Sequence, residues 1–290
     1  MITEFGIDYG SGEKNKPPLF KSTYQSGCRF AIIRGAYGTT VDPTMKRDRK
    51  VFRDSNIAFG AYLFLRYPYG KTRPPGPEAQ VKAFSDALGA LEPGDLPPVL
   101  DIEFPRGGRE KTGMGALQCL QYAEHAYDLL RARYQTVMIY TSARVWKEDL
   151  LGLVSPKLAQ APLWIKVAYY WKARRPWDTT HQHPIKELPA PWRSIGSPGA
   201  WIKQYQGDAT GMPGITRTVD MNAFLDCKRG EKTERVRWLQ KTLVGRCPNI
   251  GAVDGDFGPK TEMAVRTFQT GRSLPATGIV DVRTFASLCS

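Results

Sequence analysis

The chain alternates between short apolar runs, which predict strands, and amphipathic segments, which predict helices. Apolar residues at helical spacing predict helices over 77–91 and 112–133, and Asp42 followed by Pro43 begins another that ends near residue 55. A short helix is predicted near 144–151. The predicted strands cover residues 5–7, 30–34, 57–64, 99–103, 136–140, 163–167, 200–204 and 218–221.

Repeated strand–helix units predict a parallel sheet, and eight parallel strands can close into a barrel. Helices are visible between only some of these strands. The predicted fold class is therefore α/β, with an irregular (β/α) barrel of eight strands and fewer helices.

The stretch 97–104, PPVLDIEF, carries the most informative chemistry in the chain. Its apolar run leads into Asp101 and Glu103, which are separated by one apolar residue. In a strand, residues i and i+2 face the same side with Cα atoms about 6.5–7 Å apart, so both carboxylates project together. This spacing suits protonation of a glycosidic oxygen and control of the resulting cation. The alternative is a surface strand end with two solvated acids, but the preceding apolar run is typical of a buried strand.

Acids follow directly on several of the predicted strands. They are Asp8, Asp101, Glu103 and Asp220. The carboxyl ends of parallel barrel strands meet on one face, where polar side chains are typically catalytic. Each acid alone has an alternative role as a helix cap or turn residue. Together they favour a site lined by carboxylates.

Charge and composition limit the partners loosely. The 290 residues carry a formal net charge of +13, spread along the chain, which suits nucleic acid, anionic lipid or a bacterial wall with acidic polymers. The basic and aromatic stretch 171–177 lies in no nucleic-acid-binding motif, so a solvated loop is the preferred interpretation. The longest apolar run, 57–65, is too short for a membrane span, and residues 1–5 lack a signal-peptide pattern. We therefore expect a soluble protein without its own secretion signal.

Cysteines and histidines give no support for a cofactor. The cysteines contain no C-x-x-C pair, and the three histidines lack ligand spacing to acids or cysteines. The segment 254–256 lacks the closing glutamate of a calcium loop. We predict no cofactor and no metal site. Reduced, buried thiols are the default for a chain folded in a cytoplasm. The cysteines are Cys28, Cys119, Cys227, Cys247 and Cys289.

An ordered series of short motifs runs along the first 227 residues. The motifs are GID at 6–8, AIIRGAYG at 31–38, GAYLF at 60–64, VLDIE at 99–103, LWI at 163–165, WIKQY at 201–205 and VDMNAF at 219–224. In this order they resemble the family 25 glycoside hydrolases, the Chalaropsis-type lysozymes. Two features depart from the family pattern: Leu63 stands where the family often has histidine, and the loop 170–198 is longer than usual. The resemblance implies an N-acetylmuramidase on a barrel with fewer helices than strands.

The resemblance also implies a role for each acid. Glu103 would be the general acid that protonates the oxygen between N-acetylmuramic acid and N-acetylglucosamine, with a pKa raised by Asp101 and partial burial. Asp101 would stabilise the oxocarbenium charge or orient the 2-acetamido group. Asp8 and Asp220 would complete the acidic floor and position substrate or water. The attacking group, water or acetamido, is left open because substrate-assisted hydrolases escape the carboxylate-distance rule.

Further residues of these motifs are predicted to bind substrate. Tyr62, Tyr140 and Trp164 are candidates for packing on sugar faces, with packing inside the barrel as the alternative, above all for Trp164. Arg34 is predicted either to pair with the acids or to contact substrate. The remaining predicted substrate-binding residues are Gln204, Tyr205 and Asn222.

A second module follows a charged, linker-like stretch at 228–233. A helical stripe at 236, 239, 240 and 243 precedes DGDFGPKT at 254–261, and a second helix precedes LPATGIVDVRT at 274–284. This pattern resembles the three-helix peptidoglycan-binding domain of many wall hydrolases. It implies a catalytic barrel over 1–227, a linker over 228–233 and a binding domain over 234–290. A Cys247–Cys289 disulfide, formed in an oxidising space, is the alternative to reduced thiols in so small a domain.

The resemblance therefore predicts a phage-type endolysin, a monomeric lysozyme that hydrolyses wall glycan and causes lysis. We expect peptidoglycan to contact both domains, with no nucleic acid and no membrane insertion. The protein would be made in the host cytoplasm and reach the wall after holin-type release. A non-catalytic wall-binding protein and a chitinase-like glycosidase are the alternatives. The four acids disfavour the first, and Pro97 and Val99, at positions where further chitinase acids would be expected, disfavour the second.

Overall fold

A closed barrel of eight strands forms the larger part of the molecule. The computed structural model describes residues 4–10, 20–104, 107–167, 185, 188–193, 197–215 and 217–290. The barrel strands are β1 (Phe5–Tyr9), β2 (Cys28–Tyr37), β4 (Ala58–Phe64), β5 (Val99–Asp101), β6 (Met138–Ser142), β7 (Leu163–Lys166), β8 (Ala200–Ala209) and β9 (Val219–Phe224). Pairing of β1 with both β2 and β9 closes the ring, and β3 (Thr40–Val41) pairs with the end of β2 outside it. The predicted α/β barrel of eight strands is confirmed.

The last strand of the barrel, β9, runs against its neighbours. It is antiparallel to β1 and β8, whereas the other neighbouring strands of the ring are parallel. The prediction of eight parallel strands is therefore wrong for β9. The reason is the short connection: only residues 210–218 separate β8 from β9, and a parallel crossover needs about a dozen residues or more. The reversal brings the amino end of β9 to the face where the other strands have their carboxyl ends.

Helices cover the outside of the barrel. In the described residues they are α1 (Phe20–Gln25), α2 (Met45–Asp54), α3 (Pro77–Leu88) and α4 (Ala116–Arg131). Helix α3 begins at Pro77, whose fixed φ suits a first turn, and ends before Gly89, whose φ of +68° is strained for other residues. Where a helix is predicted near 144–151, the chain forms a single π-helical turn, Val145–Asp149. None of the described helices is long and apolar enough to cross a bilayer.

Three helices form the carboxyl-terminal module, as predicted: α5 (Glu234–Leu243), α6 (Pro259–Gly271) and α7 (Val282–Cys289). A buried glutamine holds each of the two connecting loops. Gln240 accepts a hydrogen bond from Gly255 N at 2.8 Å, and its amide nitrogen donates to one side chain and one carbonyl of the loop and to one side chain of α6. Gln269 does the same in the next loop, with Gly278 N at 2.9 Å. The repeated sequence pattern is therefore a repeated structure.

The module packs against the barrel end opposite the strand carboxyl ends. Phe285 of α7 stacks on Trp201 near the start of β8, with ring centroids 4.7 Å apart, and contacts Phe224 at the end of β9 at 5.6 Å. Trp238 of α5 lies 5.3 Å from Trp201. Except for Trp238, these rings are fully buried. One apolar core therefore continues from the barrel interior into the module.

The stretch 228–233, predicted as a linker, is hydrogen-bonded to the module. Gly230 N donates to Phe257 O at 3.1 Å, and Phe257 N donates to Glu231 O at 2.8 Å. Immediately before this stretch, Cys227 and Val280 exchange two backbone hydrogen bonds of 3.1 and 2.8 Å. The connection is part of the folded structure. The division at 1–227, 228–233 and 234–290 stays a prediction.

Cysteine chemistry plays no part in holding the module together. All five cysteines are buried free thiols, so the alternative of a Cys247–Cys289 disulfide is wrong and the expectation of reduced thiols is confirmed. Burial raises the pKa of the Cys289 thiol to about 12, which keeps it a weak nucleophile. The module is held by its apolar core instead.

Candidate active site

The four predicted acids lie at one end of the barrel. Asp101 is the last residue of β5, and Glu103 follows one residue later. Asp8 of β1 is directly paired with Asp220 of β9 in the antiparallel ladder. Asp220 lies at the amino end of its strand, so it reaches this face because β9 is reversed, and not because it follows a parallel strand.

Two amide side chains hold Asp8 and Asp220 together. Gln204 of β8 donates to Asp8 Oδ2 at 2.9 Å and to Asp220 Oδ2 at 3.2 Å. Asn222 donates to Asp8 Oδ2 at 2.7 Å. The backbone N–H of Asp208 donates to the other oxygen of Asp220 at 2.8 Å. These donors fix the positions of both carboxyl groups.

Two aromatic residues fix the orientation of those amides. The hydroxyl of Tyr140 donates to Gln204 Oε1 at 2.7 Å, and the indole N–H of Trp164 donates to Asn222 Oδ1 at 2.7 Å. With each amide oxygen occupied by a donor, each NH₂ group must face the acids. Tyr140 is 5% exposed and Trp164 is 2% exposed. For these two rings the contacts favour the barrel-packing alternative over packing on sugar.

The electrostatics of the cluster favour protonated carboxyl groups. Burial raises the pKa of all four acids. For Asp101 the charges of Glu103 and Asp8 raise the pKa further, and for Asp8 the charge of Asp220 does so. Neighbouring carboxyl groups do not all ionise together, so the cluster titrates as a unit. It keeps protons at pH values above those at which solvated aspartate and glutamate side chains lose them.

Glu103 and Asp101 differ in their access to solvent. The side chain of Glu103 is 27% exposed, whereas Asp101 is only 5% exposed as a residue. Asp101 Oδ1 is buried and has no hydrogen-bond partner among the described residues. Of the two, Glu103 is therefore more accessible to a bound molecule, and Asp101 lies deeper behind it.

Lys166 is a charged residue of the site that the sequence interpretation missed. Its Nζ lies 3.9 Å from Glu103 Oε1. The charge of Lys166, followed by that of Arg144, opposes the rise in the pKa of Glu103 that burial causes. Strand alternation was the available signal: Trp164 faces the barrel interior, Ile165 faces outward, and Lys166 returns to the inner face.

The other predicted substrate-binding residues fall in different places. Tyr62 faces the acids, and burial together with the charges of Asp8 and Asp101 raises its pKa. Arg34 forms its ion pair with Asp42, at 3.9 Å, rather than with the four acids, and its substrate contact stays a prediction. Tyr205 lies on the opposite face of β8 from Gln204. It belongs to the apolar core between the barrel and the surrounding helices, called the outer core below, so its position does not favour sugar contact.

Leu63 and the loop 170–198 are the two positions at which the sequence departs from the family pattern. Leu63 is fully buried in the outer core, facing away from the acids. The loop 170–198 falls largely outside the described residues. Among the described residues, no group of three or more His, Cys, Asp and Glu side chains has the arrangement of a metal site.

These features define a class of protein. A closed β/α barrel with a cluster of buried carboxyl groups at one end, one of which is reachable, is typical of glycoside hydrolases that use acid catalysis. Its acids come from different strands, and buried amides and rings hold them in place.

Family comparison gives the particular family. The model of the glycosyl hydrolases family 25 matches residues 7–185, more than half of the chain, and the chain belongs to this family. A model of the peptidoglycan binding domain matches residues 232–288. The chain is therefore a peptidoglycan hydrolase of the lysozyme type, as predicted.

Solved structures share the fold. A bacterial lysozyme from Streptomyces coelicolor has a TM-score of 0.60 and 23% identity, over 77% of this chain and 92% of that one. A family GH25 lysozyme from Aspergillus fumigatus has a TM-score of 0.58 and 20% identity, over 77% and 94%. The catalytic domain of endolysin ply40 from bacteriophage P40 of Listeria monocytogenes has a TM-score of 0.53 and 19% identity, over 77% and 94%. No curated protein matches the chain significantly.

Proposed function

We propose that the chain is an N-acetylmuramidase that cleaves the β-1,4 bond between N-acetylmuramic acid and N-acetylglucosamine, with Glu103 as the proton donor. The observation that carries the proposal is the pairing of a reachable acid, Glu103, with a buried one, Asp101, two residues away. Burial raises the pKa of Glu103, so its carboxyl group keeps its proton to higher pH than a solvated glutamate does. The glycosidic oxygen takes that proton as its bond to the anomeric carbon breaks.

The other acids act on the positive charge and on the attacking group. Asp101, which lies deeper than Glu103, stabilises the oxocarbenium ion or orients the 2-acetamido group. Asp8 and Asp220 position substrate or water, held by the shared donor Gln204. Either water or the acetamido oxygen attacks the anomeric carbon, and hydrolysis is completed by water.

The carboxyl-terminal module is proposed to hold the enzyme on its insoluble substrate. Attachment raises the effective concentration of the catalytic site near the glycan, which matters most on intact walls. The dispersed net charge of +13 favours association with a wall that carries acidic polymers. We propose that the protein acts as a monomeric endolysin that reaches the wall after holin-type release and lyses the cell. In this role it neither binds nucleic acid nor inserts into the membrane.

Glu103→Gln tests the assignment of the proton donor. Glutamine keeps the shape and hydrogen bonding of the side chain but has no proton to transfer. General acid catalysis contributes about 10²–10⁴-fold, so release of reducing ends from purified peptidoglycan should fall by that factor. Asp101→Asn should be nearly as damaging.

Glu110→Gln is the matched control, because it makes the same change at an exposed position. It should keep the parent rate, and thermal unfolding should show all variants folded. A Glu103→Gln rate within twofold of the parent would remove Glu103 from the role. A parent protein that binds walls and releases nothing would instead favour the non-catalytic alternative.

A further inference from the structure

Lys166 places a positive charge on the inner face of the barrel. Along strand β7, Trp164 faces the barrel interior and Ile165 faces the outer core. By the same alternation, Lys166 faces the interior again, at the carboxyl end of the strand. Lysine is rarely buried unless its charge is paired. Here 31% of the side chain is exposed, and the ammonium nitrogen lies 3.9 Å from Glu103 Oε1.

The lysine reaches Glu103 from two strands away. In the sheet, β6 separates β7 from β5, and Lys166 is in register with Ser142 of β6 and Gln204 of β8. Its side chain therefore spans the width of β6 to meet the acid that follows β5. The contact depends on a long cationic side chain at this position.

Several charged or titratable groups of the described residues face Glu103. The acids are Asp101 of β5, Asp8 of β1 and Asp220 of β9, and the cations are Lys166 of β7 and Arg144, which follows β6. Arg144 also forms ion pairs with Glu148 at 3.1 Å and with Asp149 at 3.5 Å, and 58% of its side chain is exposed. Solvent and these partners weaken its effect on the site.

The charge of Lys166 acts on three of the four acids. It favours the ionised forms of Asp101, Glu103 and Asp220, and for Glu103 it is the largest influence that opposes burial. Among the described residues, Lys166 is therefore the cation best placed to set how many protons the cluster holds at a given pH.

We propose that Lys166 is a positioning residue whose ammonium group, held across the barrel mouth from Glu103, sets the upper pH limit of the reaction. The inference rests on the proposed role of Glu103 as proton donor. A general acid works only while protonated, so the rate falls when the pH rises past the pKa of the cluster. A nearby positive charge favours the carboxylate and brings this fall to lower pH.

Removing the charge should therefore extend activity to higher pH. An opposite charge within about 4–6 Å shifts a carboxyl pKa by 1–3 units, and the partial exposure of Lys166 favours the lower end of this range. Lys166→Met keeps much of the length of the side chain and removes the charge. We expect the alkaline limb of its pH–rate profile to move up by about one pH unit, and Lys166→Arg to keep the parent limb.

The test measures initial rates of reducing-end release from purified peptidoglycan by the full chain, at closely spaced pH values. Lys147→Met is the matched control, because it makes the same change at an exposed lysine that is not among the main influences on the pKa values of the four acids. Its alkaline limb should coincide with the parent limb. A purely structural role for Lys166 would lower the rate at every pH without moving the limb.

Two outcomes separate this inference from the proposed function. If Glu103→Gln is inactive and Lys166→Met has the parent limb, the inference about Lys166 is wrong and the proton donor stands. If Glu103→Gln is active, the proposed donor itself is wrong. An upward shift in Lys166→Met, absent in Lys166→Arg and Lys147→Met, supports the inference.

Discussion

The apolar core shared by the barrel and the carboxyl-terminal module makes a direct prediction about stability. Phe285 is fully buried in α7, and its ring contacts Trp201 at 4.7 Å, Phe224 at 5.6 Å and Trp238 at 6.0 Å. Two of these partners, Trp201 and Phe224, belong to barrel strands. Phe285→Ala therefore removes a ring from the contact between the two parts of the molecule.

The expected cost follows from the size of the cavity. Truncation of a buried phenylalanine to alanine lowers the free energy of unfolding by about 3–5 kcal/mol, from lost transfer energy and an unfilled cavity. Aromatic pairs contribute about 0.5–1.5 kcal/mol beyond buried area, so the three ring contacts favour the upper part of this range. Since both parts of the molecule share this core, we expect the whole protein to unfold at lower denaturant in one transition.

Guanidinium unfolding followed by far-ultraviolet circular dichroism and by tryptophan fluorescence measures this effect. Met263→Ala on α6 is the control, because its side chain is 64% exposed, and it should change the free energy by less than about 0.5 kcal/mol. Coincident curves from both probes, shifted together by Phe285→Ala, support the shared core. Two separate transitions in the parent, with only the smaller one shifted, would refute it.

Two further predictions concern the carboxyl-terminal module and its contact with the barrel. Burial raises the pKa of Glu4 to about 7, although the hydrogen bond from Val282 N opposes this rise, so the stabilising contribution of the protonated group is complete below about pH 4.5 and is lost as the pH rises through 7. Between pH 4 and pH 8, Glu4→Gln should therefore gain about 3 kcal/mol in unfolding free energy relative to the parent, and denaturation curves with an unchanged difference would contradict this. Gln269→Leu strands Gly278 N–H and its loop partners, so it should lower the unfolding free energy by about 1–3 kcal/mol, while Gln160→Leu, at an exposed position, should leave it unchanged.

The barrel could be predicted from the sequence because most of its strands contain an apolar run that ends at polar residues. The direction of β9 could not, since parallel and antiparallel strands have the same alternation of side chains. β8 also continues to Ala209, through polar residues that resemble a turn, so the predicted end at residue 204 made the connection to β9 look longer than it is. The connection between β8 and β9 is only residues 210–218, which is too short for a parallel crossover.

The acids of the site could be predicted because carboxylates after apolar strands are conspicuous. What the sequence hid are contacts between distant residues. Lys166 is one lysine among many basic residues until strand alternation turns it towards Glu103. Similarly, Trp201 and Phe285 are apolar residues 84 positions apart, and only the docked structure shows that they stack. A pattern along the chain identifies faces, but not which faces meet.

The central claim, cleavage of the muramyl bond by acid catalysis from Glu103, is tested most directly by mass spectrometry of the released fragments. Purified peptidoglycan is digested with the parent or with Glu103→Gln, and the new reducing ends are reduced with borohydride. The account predicts fragments ending in reduced N-acetylmuramic acid from the parent, and a loss of about 10²–10⁴-fold with Glu103→Gln. Fragments ending in reduced N-acetylglucosamine, or peptides released from intact glycan, would contradict it.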